Sequence, residues 1–365
     1  MAIILDSLGL PEQIADEVSR LSATYEFEKL SDKGQNGYLF MAFNTVLQRR
    51  VAIKFYFWAD GVREHIEPQS LASVKSPNVI EVLDASLVGD EWAMFVTPFC
   101  ENGDVDRFRE KYRFGLREGI RFVSSLLDGV ACLHQRGFVH RDLKPENLLV
   151  ASDRTPLIAD FGSVRLIPDG QTDVPGSGHA VLYRPPESFL TARYDRRGDL
   201  YQCGMVLFQI LGGRLPYSYH EYLTPKERIE YLNLDDDFER SRLIDSAIAK
   251  KAAAGTLLDF KSLPAFVPLQ VKTVLKRAVS VNPDKRFQNA CDFMNKLNSL
   301  TNKIVDWQYE NGLPVAFGKD SKFRVRSVDS AFIAEQDKGK GWRRIPGVPN
   351  GTIAKMIREV DARCA

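Results

Sequence analysis

The sequence predicts an α+β protein built as two lobes, with a small C-terminal extension. Three observations lead there. Strand-like patterning fills about the first hundred residues, and helical periodicity fills about the next two hundred. The tail, from about residue 301, returns to short alternating pieces between Gly and Pro turns.

Residues 11–22 have helical spacing, with Ile14, Val18 and Leu21 on one stripe and Pro11 at a first turn. Residues 26–30, 38–43 and 50–57 are rich in aromatic and β-branched side chains, and turn chemistry around 33–37 separates the first two. Residues 79–87 and 91–97 continue the strand pattern. The period becomes helical from Val105. Residues 119–135 carry Ile120, Val123, Leu126, Leu127, Val130 and Leu133, and 199–212 form a nearly all-apolar helix, hence a buried one. In the tail, 323–328 alternate like a strand and 352–363 read as a short helix.

A chain of 365 residues and 41.2 kDa holds one large domain with an appendage or two of ordinary size. A hydrophobic fraction of 44% and a charged fraction of 27% are those of soluble globular proteins. The net charge of +1 argues against a molecule built as a whole for nucleic acid or an anionic membrane. Five cysteines with no C-x-x-C spacing read as free thiols in a reducing compartment, not as a disulfide framework or zinc site. No apolar run approaches the ~18 residues of a membrane span. The apolar N-terminus lacks a basic n-region and a small-residue cleavage site, so a cytoplasmic protein without membrane contact is expected.

Residues 140–147 read H-R-D-L-K-P-E-N, after a helix and before the apolar 148–150. Phosphoryl transfer needs the phosphate held in line, its charge neutralised by metal and lysine, and a carboxylate to orient the accepting hydroxyl. Asp142 supplies that carboxylate, Asn147 a neutral oxygen for Mg²⁺, and Lys144 a cation in reach of the transferred phosphate. Asp160-Phe161-Gly162 begins thirteen positions beyond Asn147, and Asp160 is the second Mg²⁺ ligand candidate. Val51-Ala52-Ile53-Lys54 places a lysine on a strand, poised for the α- and β-phosphates of ATP. In the preceding loop, Gly34 and Gly37 let backbone N–H groups approach phosphate. That loop departs from G-x-G-x-x-G at Asp32, and a plain β-turn accounts for both glycines as well.

Over roughly residues 25–300 these motifs resemble those of eukaryotic-type protein kinases. The resemblance implies a β-rich N-lobe at about 25–98 and a helical C-lobe at about 99–300. An N-terminal helical extension (1–24) and a C-terminal accessory region (301–365) flank them. It also implies that Glu187, in Pro185-Pro186-Glu187, closes the activation segment and pairs with Arg286 in a buried salt bridge, and that Asp199 braces the catalytic loop. Thr97 would guard the back pocket, and Phe99 to Cys100 would hydrogen-bond adenine through their backbone. Leu39, Ala52 and Leu149 would sandwich the ring, although a plain core role predicts the same burial. Asp104 falls where the family often puts a carboxylate near ribose and substrate, and a helix N-cap is as open a reading. Arg141 implies a positive pocket that a phosphate on Thr172 or Ser177 would fill, while both also read as ordinary solvated loop residues.

Two positions depart from the pattern. Counting back from Pro77-Asn78 gives Glu67 as the partner of Lys54, with Glu64 the rival. Only thirteen positions separate Lys54 from Glu67, and Pro68 follows directly, so a short or kinked helix is expected there. Ala180, three residues before Tyr183, stands where Ser/Thr kinases usually carry threonine, and Ser177 could substitute for it.

The activity implied is Mg²⁺-dependent transfer of the γ-phosphate of ATP to Ser or Thr hydroxyls of protein substrates, with autophosphorylation. Lys144 after Asp-Leu favours Ser/Thr over Tyr by resemblance. The rival readings are a pseudokinase or scaffold acting through its C-terminal extension, and a small-molecule kinase of related fold. The tail's basic residues (Lys319, Lys322, Arg324, Arg326, Lys338, Lys340, Arg343, Arg344), with Trp342 and Phe332, read as a solvated basic face. Contact with nucleic acid or an acidic partner is the alternative. Residues 217–261, with acidic Asp235-Asp236-Asp237, dock a regulatory partner or elaborate a surface loop.

Overall fold

The computed structural model describes residues 9–34, 37–57, 74–176 and 181–364. Strands β1 (Tyr25–Gly34), β2 (Gly37–Asn44), β3 (Arg49–Phe57), β4 (Asp84–Val88) and β5 (Trp92–Pro98) form one antiparallel sheet, in the order β1-β2-β3-β5-β4. The period-2 alternation of β3 sorts its two faces. Val51, Ile53 and Phe55 are fully buried on one, while Ala52 and Lys54 stand half-buried on the other. Helix α1 (Glu12–Leu21) covers the first face. Its Ile14, Val18 and Leu21 join Phe40, Ile53, Phe55 and Met94 in a single core. The face that carries Lys54 is therefore the one turned to the second lobe.

The strand expected from residue 79 begins only at Asp84. Val79 instead makes one parallel bridge to Ile158, and the Ile80 N–H donates to the Ile158 carbonyl at 2.9 Å. These apolar residues tie the lobes together and leave no ladder for a longer strand.

The second lobe contains α2 (Val105–Lys111), α3 (Leu116–Gln135), α4 (Pro186–Thr191), α5 (Arg196–Ile210), α6 (Pro225–Asn233), α7 (Asp237–Ala253), α8 (Leu269–Ala278) and α9 (Ala290–Thr301). Helix α5 is its axis. Every residue from Gly198 to Ile210 is buried, because the helix has no polar stripe to offer water. Short strand pairs position the loops: β6 (Phe138–Val139) with β9 (Arg165–Leu166), β7 (Leu148–Val150) with β8 (Pro156–Ile158), and β10 (Val174–Pro175) with β11 (Arg193–Tyr194).

The tail is a meander of β12 (Asp306–Glu310), β13 (Leu313–Phe317), β14 (Lys322–Val328), β15 (Ala331–Asp337) and β16 (Arg343–Arg344), packed against α10 (Ile353–Cys364). Its core is continuous with the helical lobe. Trp307, 1% exposed, stacks on Phe266 with centroids 5.4 Å apart, and the Arg117 Nε donates to the Ile304 carbonyl at 2.9 Å. Part of the tail's basic character is neutralised internally. Lys322 pairs with Glu310 at 2.6 Å, and Arg324 and Arg326 share Glu335 at 2.7 and 3.0 Å. Lys319, Lys338, Lys340, Arg343 and Arg344 remain exposed. Among the described residues, no helix is long and apolar enough to cross a membrane.

Candidate active site

The loop 140–147 hangs from a carboxylate buried in α5. Asp199, wholly buried, accepts the backbone N–H groups of His140 and Arg141, each at 2.9 Å. It also contacts His134 Nε2 at 2.8 Å and accepts the Tyr194 hydroxyl at 2.8 Å. Burial alone would push the Asp199 pKa up. The hydrogen bond and charge of His134, the charge of His140 and the Arg141 N–H outweigh it, so its pKa lies below the ordinary aspartate value.

This bracing fixes Asp142, which is 5% exposed. Its Oδ2 accepts Asn147 Nδ2 at 2.9 Å and lies 3.2 Å from Lys144 Nζ. Its Oδ1 is buried and has no hydrogen-bond partner among the described residues. Such an atom is costly unless something arrives to use it, and an incoming hydroxyl meets that need. Burial works against the charge of Lys144, yet Asp142 and Glu146 together raise its pKa.

Asn147 ends the 3-10 turn Pro145–Asn147, where its Nδ2 is held by the Asp142 backbone and side chain, and its carbonyl accepts the Ala159 N–H at 3.0 Å. That last bond places Asp160 beside the loop 140–147. Asp160 adopts φ 56°, in the left-handed region where non-Gly residues are uncommon. The neighbouring Phe161 is 1% exposed and packs edge-on against His140 at 5.4 Å. Asp160 reaches across the cleft to Lys54 Nζ at 3.3 Å. Burial opposes its ionisation, but the charge and hydrogen bond of Lys54, with His140 and the Gly162 N–H, lower its pKa overall. The Asp160 carboxylate and the Asn147 amide oxygen form a hard, all-oxygen donor set. That set suits Mg²⁺, which takes one or two protein ligands and completes its shell with phosphate and water.

The cleft's roof follows from the sheet register. Leu39 pairs with Lys54, Ala52 pairs with Thr97, and Leu39, Ala52 and Leu149 are all half-buried. Thr97 is 8% exposed. Gly34 and Gly37 pair across the β1–β2 turn. Gly37 has φ 136°, and a Cβ there would lie 1.9 Å from the Phe55 carbonyl oxygen, so glycine is required. At the inter-lobe link one expectation narrows. The Phe99 N–H donates to the Arg50 carbonyl at 3.3 Å, which leaves only its carbonyl to offer, while the Cys100 N–H makes no backbone bond among the described residues. Burial pushes the Cys100 thiol up to about 11. Asp104 is the N-cap of α2, accepting the Arg107 N–H at 2.9 Å.

Arg286 and Glu187 meet in a two-pronged pair at 2.7 and 2.6 Å, with the Arg286 side chain fully buried. Arg141 is anchored through its side chain to neighbouring backbone. It is 7% exposed and donates to the carbonyls of Ser163 and Pro175, both at 2.6 Å. Those bonds hold β10 against the loop 140–147, and Thr172 stands exposed nearby in sequence. Glu67, Glu64, Ser177 and Ala180 lie outside the described residues.

Sequence reasoning missed Gln202. It sits three residues after Asp199 and is 1% exposed. Its Oε1 accepts the Leu143 N–H at 2.9 Å and its Nε2 donates to the Arg141 carbonyl at 3.1 Å. An amide within a nearly all-apolar run, one turn from Asp199, was the available signal. His134 and Tyr194 were missed too, because nothing local marks either as a partner of Asp199.

The chain matches the protein kinase domain family over residues 25–297. A putative mitogen-activated protein kinase kinase kinase 7-like protein of Drosophila melanogaster is 24% identical over 301 residues, covering 80% of this chain and 68% of the relative. The serine/threonine-protein kinase pkn2 of Myxococcus xanthus is 31% identical over 199 residues, covering 51% of this chain and 24% of the relative. The CBL-interacting serine/threonine-protein kinase 24 of Arabidopsis thaliana is 31% identical over 199 residues, with 54% and 42% covered. The matches thus span about two thirds of the first relative and less than half of the other two.

Proposed function

The chain belongs to the protein kinase family, and we propose that it transfers the γ-phosphate of ATP to Ser and Thr hydroxyls of protein substrates, its own included. The observation that carries this reading is the orphaned Asp142 Oδ1, buried beside Lys144 and Asn147. An acceptor hydroxyl placed there gives its proton to Asp142 as its oxygen bonds to the γ-phosphorus and the bond to the ADP oxygen breaks. Lys144, held by Asp142 and Glu146, faces the phosphate in transfer. Lys54, on the cleft face of β3, takes the α- and β-phosphates. Asn147 and Asp160 would hold Mg²⁺, which when bound neutralises charge across the β- and γ-phosphates. Leu39, Ala52 and Leu149 would flank adenine, with the Cys100 N–H as its backbone donor.

We take residues 25–300 as the catalytic unit, flanked by an N-terminal extension (1–24) and a C-terminal accessory region (301–365). Residues 217–261 and the tail are the surfaces open to a regulatory partner. The test is incubation with labelled ATP and Mg²⁺ beside an Asp142→Ala control, followed by phosphoamino-acid analysis. Label on Ser or Thr is expected in the wild type, with a fall of about 10²-fold or more in the control. Equally little label in both would sink the catalytic reading in favour of a binding module.

A further inference from the structure

We infer that the tail completes a second ligand site, for a small aromatic anion, coupled to the acceptor side of the active site. The cavity measures about 380 Å³ and lies between the end of α2, the end of α5 and β12 of the tail. Arg109, Arg113, Phe114, Gln209 and Tyr309 line it. This volume falls within the roughly 300–1,000 Å³ of ordinary small-molecule sites.

Charge and shape together indicate the ligand. Arg113 lies 5.4 Å from the Tyr309 ring and makes no hydrogen bond or ion pair among the described residues. Arg117, one turn on, spends its guanidinium on the Ile304 carbonyl and leaves its charge unmatched by any carboxylate among them. A guanidinium fork suits carboxylate or phosphate, and Phe114 and Tyr309 give the lining an aromatic side. The complementary ligand is therefore an anionic group on a planar ring.

The same cavity reaches the substrate side through its polar lining. Gln209 Oε1 accepts the Tyr183 hydroxyl at 2.7 Å, and its Nε2 donates to the Tyr217 hydroxyl at 3.3 Å. Tyr217 in turn donates to Asp106 Oδ2 at 2.6 Å, and Asp106 pairs with Arg109 at 3.3 Å. Tyr183 lines a neighbouring cleft with Lys144 and Glu146. An anion in the cavity competes with Asp106 for Arg109 and loosens the chain that anchors Tyr183. This coupling rests on the kinase reading above, whereas the binding itself does not.

Full-length protein, its catalytic cleft blocked with a non-hydrolysable ATP analogue, is titrated with phenyl phosphate and with neutral phenol by calorimetry. Saturable binding of phenyl phosphate alone is expected, weakened about tenfold in Arg113→Ala, the loss of one charge-assisted contact. Without the analogue, phenyl phosphate should raise KM for a Ser/Thr acceptor peptide about fivefold in wild type and not in Arg113→Ala, with KM for ATP unchanged. No saturation, equal binding of phenol, or undiminished binding to Arg113→Ala overturns the site. Binding that leaves the acceptor KM unmoved overturns the coupling. Arg113-dependent binding to a protein that transfers no phosphate overturns the kinase reading and leaves the site standing.

Discussion

Gln202 joins three segments through one amide: α5, the backbone at Arg141 and Leu143 of the loop 140–147, and the Tyr183 carbonyl at 3.4 Å. Gln202→Ala strands a buried N–H and a buried carbonyl, which costs about 1–3 kcal/mol per group left unsatisfied. A lower Tm is expected together with a fall in kcat, since Asp142 loses part of its support. A variant that melts lower with kcat intact would show that the loop is held well enough without the amide. Asp199 gives a pH prediction. Its pKa is depressed in the folded state, so the unfolded chain binds its proton more readily. The stability it contributes is full above the unfolded aspartate value and is lost as pH falls through the folded one. Asp199→Asn should therefore flatten the acid limb of the stability-against-pH curve in denaturant melts. An unchanged limb would assign that limb to other carboxylates. Asp142 and Asn147 were legible as neighbours because they lie five positions apart on one loop, where their side chains meet at 2.9 Å. His134 and Tyr194 were not, since each reaches Asp199 only through tertiary packing.

Helix α1 behaves as part of the sheet it covers. Ile14 and Val18 are fully buried against β2, β3 and β5, on the side opposite Lys54. Ile14→Ala should cost about 2–5 kcal/mol of stability, read by denaturant unfolding, while KM for ATP stays near wild type. A shift in KM as large as the loss of stability would mean that the helix also shapes the cleft. The stripe Ile14, Val18, Leu21 was visible as periodicity, but what it covers was not. The nearly all-apolar run in α5 was just as plain, because a helix without a polar stripe has only the interior to occupy. Residues 79–83 misled for the opposite reason. Their apolar, β-branched character suits a strand, yet their backbone bonds go to Ile158 and Val96.

At the scale of the whole molecule, the tail is bound to the helical lobe. A Cβ at Gly115 would sit 2.9 Å from the Trp307 carbonyl oxygen, so the two backbones are in close contact. Trp307 also donates its indole N–H to Asp361 of α10 at 2.9 Å, while its ring lies on Phe266 of the helical lobe. Trp307→Ala should cost about 3–5 kcal/mol and lower the melting of helical lobe and tail as one transition in calorimetry. Two separated transitions, with only the smaller one shifted, would mark the tail as an independent unit.

By itself the sequence determined the two-lobed architecture, the closeness of Asp142, Lys144 and Asn147 on one loop, and the family to which the chain belongs. These features are written in local spacing, which survives without knowledge of neighbours. Tertiary structure alone decided that Arg141 turns inward to two carbonyls, that Phe99 spends its N–H on Arg50, and that Gln202 shares the bracing with Asp199. It also decided that the tail shares a core with the helical lobe. Each of these depends on which buried polar group or apolar face finds its partner across tens to hundreds of residues, and no local pattern records that pairing.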